Sequence, residues 1–144
     1  MIGVQPYINF SGNCEEAVNF YKEKLGAEIL YIQRYGESPM ADMGAADNIM
    51  HCTIKIGDSH IMACDNPSGE TAATRGSNIS LAIGTDDIAK AEKMFNDVSA
   101  GGSVTMPMQQ TFWAERFGML TDKFGVNWMF NCDKPQDEVE KAAA

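Results

Sequence analysis

The chain has 144 residues, of which 44% are apolar and 22% are charged, a balance typical of one ordinary globular domain and not of a disordered chain. Twenty acidic residues against eleven basic ones give a formal net charge of -9 at pH 7. This charge opposes association with nucleic acid and with anionic membranes, so we expect neither as a partner.

The start of the chain and its cysteines bear on location. The first ten residues hold no basic segment followed by a long apolar one, and no apolar run approaches the roughly 18 residues of a membrane span. We therefore expect a cytoplasmic protein. No two cysteines form a C-x-x-C pair, which argues against a zinc knuckle or a redox motif. Buried thiols are the simpler interpretation of Cys14, Cys52, Cys64 and Cys132.

The first half of the sequence predicts a strand, a helix and three more strands. Apolar and polar residues alternate over residues 4–10, which is typical of a half-buried strand. Apolar residues then recur at helical spacing over residues 15–25, and Gly26 is placed to end that helix. Asn13 and Glu16 match the polar pair of a capping box at its start. The further strands are predicted at residues 28–35, 49–56 and 60–65.

The second half repeats this order. A strand at residues 78–83 precedes a cap at residues 85–87, and apolar residues recur at helical spacing over residues 88–98. The last three strands are predicted at residues 104–108, 118–121 and 126–132. The Cys-Asp-x-Pro sequence that ends the first half recurs 68 positions later, which indicates a duplicated unit.

The repeat predicts two tandem modules within one domain of residues 1–144. The first spans about residues 1–66 and the second about residues 77–134, joined by a polar connector at residues 66–77. We assign no role to the tail at residues 135–144.

Two stretches of the chain resemble one known family. The first is Pro-Tyr-Ile-Asn-Phe-Ser-Gly-Asn-Cys at residues 6–14, followed by Phe-Tyr and Leu-Gly-Ala-Glu at residues 20–21 and 25–28. The second is Gln-Thr-Phe-Trp-Ala at residues 110–114, followed by Thr-Asp-Lys-Phe-Gly-Val-Asn-Trp at residues 121–128. Together they look like the PhnB-like branch of the vicinal oxygen chelate superfamily, which includes glyoxalase I, bleomycin-resistance proteins and extradiol dioxygenases.

The resemblance implies an α+β fold in which two tandem βαβββ modules form curved mixed sheets around a central cavity, commonly in a homodimer. In catalytic members it also implies a divalent metal, held by one ligand from the first strand and one from the last strand of each module. These ligands are usually His, Glu or Gln, which suit a metal that polarises vicinal oxygens and keeps positions open for substrate.

The four ligand positions that the resemblance implies hold two amides and two apolar residues here. They fall on Gln5, Asn78, Ile61 or Met62, and Met129. Thioethers favour soft ions, and an apolar side chain cannot replace a carboxylate toward a hard or borderline divalent cation. We therefore predict no metal cofactor, with a divalent metal as the alternative.

Polar side chains share one predicted face of the first and last strands. Period-two alternation places Tyr7 and Asn9 on the face of Gln5, and Asn127 on the face of Met129. A surface of amides, a phenol and methionine can bind a small organic molecule through hydrogen bonds and adaptable apolar contact.

The two histidines lie on the strands of a predicted hairpin. Counting inward from the turn at residues 57–59 places His51 and His60 apart. A structural or exposed position is one interpretation of each. A catalytic or ligand-contacting role for His51 is the other, because histidine is the usual general base near neutral pH.

Three aspartates and one loop complete the candidates. Asp122 is predicted to stabilise a turn, and Asp65 and Asp133, at matching strand ends, are predicted to stabilise turns or caps. Trp113 and Arg116 lie in a segment of uncertain structure. Arg116 either recognises a carboxylate or phosphate or forms a surface salt bridge, and Trp113 either walls a pocket or anchors the loop.

The leading hypothesis is a protein of this family that binds a small organic molecule in the inter-module cavity without the usual metal, with catalysis left open. The alternative is a metal-dependent lyase or dioxygenase with an unconventional ligand set, and a third is a non-catalytic interaction domain. The predicted lining residues are Gln5, Tyr7, His51, Asn78, Trp113, Arg116, Asn127 and Met129.

Overall fold

The computed structural model describes residues 2–66, 76 and 78–134, and the chain divides into two compact units, residues 1–74 and 75–144. The first unit contains β1 (Tyr7–Phe10), α1 (Cys14–Leu25), β2 (Glu28–Arg34), β3 (Ile49–Ile56) and β4 (Ser59–Asp65). The second contains β5 (Leu81–Thr85), α2 (Ile88–Ser99), β6 (Ser103–Gln109), β7 (Ala114–Thr121) and β8 (Asn127–Asp133). Two short 3-10 helices, Tyr35–Glu37 and Ala41–Met43, lie between β2 and β3. Most of the predicted connector and the whole tail lie outside the described residues.

The two units have the same sheet topology. The strand order is β1-β4-β3-β2 in the first unit and β5-β8-β7-β6 in the second. The first strand of each unit runs parallel to its last strand, and the other neighbours are antiparallel. Helices α1 and α2 have 12 residues each, and β4 and β8 have seven each. These observations confirm the predicted α+β fold of two βαβββ modules.

Strand alternation separates a buried face from an accessible face in each sheet. In β1 the buried residues are Ile8 and Phe10, and in β8 they are Trp128, Phe130 and Cys132. The intervening polar residues are half-buried or exposed, as the period of two predicts. All four cysteines are free and buried, which confirms the interpretation of their spacing.

The start of α1 differs from the predicted capping box. Asn13 is the N-cap residue, but its side chain makes no cap hydrogen bond. The carboxylate of Asp65 takes this place, because its Oδ1 accepts the backbone N–H groups of Gly12 and Cys14 at 2.8 and 2.9 Å. Asp65 ends β4 and lies opposite Phe10 at the end of β1, so the pairing of these strands brings it to the start of the helix. The capping box was therefore a wrong prediction, and the cap role of Asp65 is confirmed.

The second module caps its helix in another way. Asp87, within the predicted cap segment, accepts the N–H of Lys90 at 3.1 Å. Asp133 is exposed and accepts instead from the side-chain amide of Asn131. Asp65 and Asp133 therefore have different roles, although the sequence around them repeats: Asp65 caps a helix, and Asp133 bonds to a neighbouring side chain on its own strand.

Asp122 stabilises the turn between β7 and β8, as predicted. Its Oδ1 accepts the N–H groups of Phe124 and Val126 at 2.9 and 3.0 Å. Its Oδ2 accepts the indole N–H of Trp128 at 2.9 Å, a contact that local turn chemistry does not predict. The carboxylate thereby ties the turn to the core of the second module.

Three strands begin three or more residues away from their predicted starts. β1 begins at Tyr7 and β5 at Leu81, so that Gln5 and Asn78 both precede their strands. Pro6 has no N–H to donate, although its carbonyl accepts from Met62. β7 begins at Ala114, four residues earlier than predicted. A register irregularity between Ala114 and Arg116 interrupts the alternation at its start.

Among the residues described, no helix is both long and apolar enough to cross a membrane.

Candidate functional site

The accessible face of the first module's sheet gathers the polar side chains that the fold leaves available. Cross-strand partners project to the same face, and the register pairs Tyr7 with Met62, Met62 with Thr53, and Gln33 with His51. We call this surface the Tyr7–His51 face. It comprises Tyr7, Asn9, Tyr31, Gln33, His51, Thr53, Met62 and Cys64.

Tyr7 and His51 meet directly on this face. The phenol oxygen of Tyr7 lies 3.0 Å from Nδ1 of His51, and the ring centroids are 5.6 Å apart. The two residues are 44 positions apart in the sequence. They come together because β1 and β3 are the two neighbours of β4. The sequence analysis predicted each residue as a lining residue, but it did not predict that the two are in contact.

The imidazole of His51 also lies close to Thr53 and Tyr31. Oγ1 of Thr53 lies 3.4 Å from Nε2, and the ring of Tyr31 lies 6.0 Å from the imidazole, centroid to centroid. Sequence reasoning missed Thr53 and Tyr31. The period-two spacing of residues 51 and 53 on one strand, and of 31 and 33 on the next, was the available signal.

Tyr7 keeps its phenol proton at neutral pH. Partial burial, with the nearby Cys64 thiol adding to it, raises the pKa of Tyr7 above its ordinary value. The phenol can donate a hydrogen bond to Nδ1 of His51 in one tautomer of the imidazole, and its oxygen can accept one from Nδ1–H in the other.

Cys64 is a hydrogen-bond donor on this face and not an activated nucleophile. Its thiol donates to Oδ1 of Asn9 at 3.1 Å. Burial raises the pKa of this thiol, so the thiolate is disfavoured near neutral pH. The Cys64–Asn9 contact lies beside Tyr7 and extends the polar part of the face along β1 and β4.

The second histidine lies away from this cluster. His60 is exposed and pairs with Lys55 close to the β3–β4 turn. Lys55 is four residues along β3 from His51, a distance of about 13 Å at the usual strand rise. The predicted separation of the two histidines is confirmed.

The four ligand positions implied by the resemblance do not fit a divalent metal. Ile61 is buried on the helix side of the sheet, so that Met62, opposite Tyr7, is the member of that pair on the accessible face. Gln5 and Asn78 precede their strands, and Met129 offers only a thioether. Within residues 2–66, 76 and 78–134, no group of three or more His, Cys, Asp or Glu side chains is arranged to hold a metal. Two amides with apolar side chains, without a carboxylate or an imidazole among them, make a poor site for a hard or borderline divalent cation.

Asn127 has structural partners in the second module. Its side-chain N–H groups reach the carbonyls of Gly76 and Ile79 at 3.0 and 3.1 Å, and its Oδ1 accepts from Thr121 at 2.8 Å. The amide thereby fastens the segment before β5 to the end of the sheet. Met129 is half-buried, with Met119 and Ala82 as its cross-strand partners.

The structure gives Arg116 an ion pair and Trp113 a packing role. Nε of Arg116 donates to Oε1 of Glu92 on α2 at 2.9 Å. Of the two roles considered for Arg116, anion recognition and a surface salt bridge, this contact matches the salt bridge. The Trp113 ring contacts Phe112 and Phe117 edge-on, with centroids 5.0 and 5.3 Å away. The indole is still more than one-third exposed. Of the eight predicted lining residues, Tyr7 and His51 are the two found in direct contact.

Comparisons with known proteins agree with this architecture. The model of the Glyoxalase/Bleomycin resistance protein/Dioxygenase superfamily matches residues 4–130. Protein YjdN of Escherichia coli is 37% identical over 145 residues, covering 92% of this chain and 97% of that protein. The crystal structure of protein PA1353 from Pseudomonas aeruginosa is 39% identical with a TM-score of 0.83, covering 94% of this chain and all of the other.

A PhnB protein from Bacillus cereus is similar at 26% identity, with a TM-score of 0.78, and the match covers 90% of this chain and 98% of that one. The resemblance to PhnB-like proteins is thereby confirmed. The family match spans both βαβββ modules and includes the strands that carry Tyr7 and His51. The chain therefore belongs to the Glyoxalase/Bleomycin resistance protein/Dioxygenase superfamily.

Proposed function

We propose that this superfamily member binds a small, uncharged organic molecule on the Tyr7–His51 face, without a divalent metal. The observation that carries the proposal is the direct contact between Tyr7 and His51 on the accessible side of the sheet. Most side chains of that side are needed neither for the core nor for a cap. The enclosing inter-module cavity, the homodimer and the cytoplasmic location stay predictions.

The chemistry of the face favours a neutral ligand. The register places Lys55 and Glu28 on the same side of the sheet, toward the β3–β4 turn. The eight residues around Tyr7 and His51 are phenols, amides, an imidazole, a hydroxyl, a thioether and a protonated thiol, with no carboxylate, lysine or arginine among them. A charged ligand would lose hydration there without gaining a counter-charge. The rings of Tyr7 and Tyr31 offer flat apolar contact, and His51 offers a hydrogen bond, so a planar molecule with polar edges matches best.

A fragment screen with matched histidine variants tests this proposal. We expect uncharged aromatic and heteroaromatic fragments to bind the wild-type protein, and His51→Ala to weaken them at least tenfold, about 1.4 kcal/mol. Tyr7→Phe should weaken them less, because it removes one hydroxyl and keeps the ring. Ligand-observed NMR titrations measure the dissociation constants.

The control for that screen is His60→Ala, which removes the exposed histidine at the far end of the same sheet. It should leave each affinity within about twofold of wild type, since exposed substitutions away from a site have small effects. Equal affinities for wild type and His51→Ala would contradict the proposed face, as would a general preference for charged fragments.

The alternative function is a metal-dependent lyase or dioxygenase with an unconventional ligand set. Protein purified without chelators and titrated with zinc, nickel and manganese is expected to bind none stoichiometrically at micromolar affinity, because the four implied ligand positions hold no carboxylate and no imidazole. Elemental analysis with isothermal titration calorimetry measures this. One tightly bound ion per chain, lost in His51→Ala but kept in His60→Ala, would favour the alternative.

A further inference from the structure

Cys14 and Cys52 form a buried pair of thiols on the helix side of the first module's sheet. Cys14 is the first residue of α1 and Cys52 lies in the middle of β3. Both side chains are fully buried, both thiols are free, and their sulfur atoms are 3.8 Å apart. The residues are 38 positions apart in the sequence, so cysteine spacing could not reveal the pair.

We propose that this pair is an oxidation site, at which a peroxide converts the two thiols into an intramolecular disulfide. Hydrogen peroxide accepts two electrons from the two sulfur atoms, and the products are one disulfide and two water molecules. The site lies on the opposite side of the sheet from the Tyr7–His51 face, and it does not depend on the proposed ligand.

The two steps involve one sulfur as nucleophile and the other as resolving thiol. The sulfur of Cys52 attacks one peroxide oxygen, the O–O bond breaks, and the first water leaves, so that Cys52 becomes a sulfenic acid. The sulfur of Cys14 then attacks the Cys52 sulfur, the S–O bond breaks, and the hydroxyl leaves as the second water with the Cys14 proton.

The surroundings assign these roles to the two sulfurs. The hydrogen bond between the thiols raises the pKa of Cys14, and burial and the charge of Asp65 raise it further. The same hydrogen bond lowers the pKa of Cys52, to which the backbone at Ala63 also contributes. We therefore assign Cys52 as the nucleophile, because the thiolate is the reactive form toward peroxide, and the disulfide formed is the same if the two sulfurs exchange roles.

The pairing is specific within the described residues. A disulfide needs a sulfur–sulfur distance of about 2.0 Å, so the two atoms must approach by less than 2 Å. Cys64 is bonded to Asn9 on the other face of the sheet, and Cys132 lies in the second module. Neither lies between Cys14 and Cys52, which connect the start of α1 to the centre of the sheet.

Burial predicts a dependence on the size of the oxidant. Because neither sulfur is exposed, the reaction requires local opening of the first turn of α1. We expect hydrogen peroxide to oxidise the pair at least ten times faster than oxidised glutathione at equal concentration. The crosslink joins distant positions and constrains the unfolded chain, so the oxidised protein should unfold at a temperature several degrees higher.

Peptide mapping of the full chain tests the proposal. Trypsin places the four cysteines in separate peptides, at residues 1–22, 35–55, 56–75 and 124–141. After treatment of the reduced protein with hydrogen peroxide, we expect a mass loss of 2 Da and a fall from four free thiols to two. The first two of those peptides should become joined, and the joined species should separate again on reduction.

Serine variants separate this pair from the other thiols. Cys14→Ser and Cys52→Ser should each reduce the yield of the 2 Da loss at least tenfold, whereas Cys132→Ser, a buried thiol of the second module, should leave it unchanged. If a serine variant fails to fold, the wild-type peptide map still decides the matter. A crosslink through Cys64 or Cys132, a crosslinked dimer, or oxygen addition without any crosslink would each overturn the proposal.

Discussion

Replacing Asp65 by alanine is expected to destabilise the first module by about 3 to 5 kcal/mol. The carboxylate is 1% exposed and accepts three backbone N–H groups, from Gly12 and Cys14 at one oxygen and from Ile49 at the other, at 2.8 to 2.9 Å. Alanine would leave these buried donors without their acceptor, and an unsatisfied buried donor costs roughly 1 to 3 kcal/mol. Urea unfolding followed by far-UV circular dichroism measures the loss.

Asp133→Ala is the matched control for this substitution. Asp133 ends β8 as Asp65 ends β4, but it is exposed and bonded only to the side chain of Asn131 among the hydrogen bonds described. Its removal should cost no more than about 0.5 kcal/mol. Amide hydrogen exchange should show faster opening at the start of α1 in Asp65→Ala alone. Equal losses in the two variants would show that the distant cap does not stabilise the helix.

The contrast between these aspartates also shows what a sequence can and cannot predict. The repeated order of elements follows from local patterns, and each strand and helix was found near its predicted place. The cap of α1 was predicted wrongly because capping rules consider neighbours in sequence. The residue that caps α1 is 51 positions from Cys14, and only the pairing of β1 with β4 brings it there.

The same reason limits prediction of the candidate site. Alternation along one strand was enough to propose Tyr7 as a lining residue, and the chemistry of histidine was enough to propose His51, but their contact depends on both strands flanking β4. Asn78 was predicted within a strand that begins three residues later. Arg116 was placed in an uncertain segment because β7 has a register irregularity between Ala114 and Arg116, where two adjacent charged residues break the alternation. Local periodicity thus predicts faces, whereas strand order determines which residues on those faces meet.

Polar side chains are buried on one side of the first module's sheet and accessible on the other. Asp65, Cys14 and Cys52 lie on the helix side, where every polar group must find a protein partner because water is excluded. Tyr7 and His51 lie on the other side, where they are partly exposed. Their present hydrogen bonds can therefore be replaced by hydrogen bonds to a ligand. Substitutions on the helix side should therefore change stability, and substitutions on the Tyr7–His51 face should change binding with little loss of stability.

Replacing Asp122 by alanine is expected to destabilise the second module by about 3 to 4 kcal/mol. The carboxylate is 3% exposed and accepts the N–H groups of Phe124 and Val126 and the indole N–H of Trp128. Removing it disrupts the β7–β8 turn and leaves the buried indole without this acceptor. Unfolding followed by tryptophan fluorescence reports the change, since both tryptophans, at positions 113 and 128, belong to this module.

A double-mutant cycle with Trp128→Phe isolates the indole contact. Trp128→Phe alone should cost about 1 to 2 kcal/mol, because the side chain becomes smaller and one hydrogen bond is lost. The double variant should cost about 1 to 2 kcal/mol less than the two single losses together, because phenylalanine has no N–H that needs the missing carboxylate. Far-UV circular dichroism serves as the common probe where Trp128 is absent.

Asp58→Ala, in the exposed β3–β4 turn of the first module, is the control and should change stability by about 0.5 kcal/mol or less. Strict additivity in the cycle would mean that the carboxylate stabilises the turn alone and that its bond to the indole adds nothing to the core.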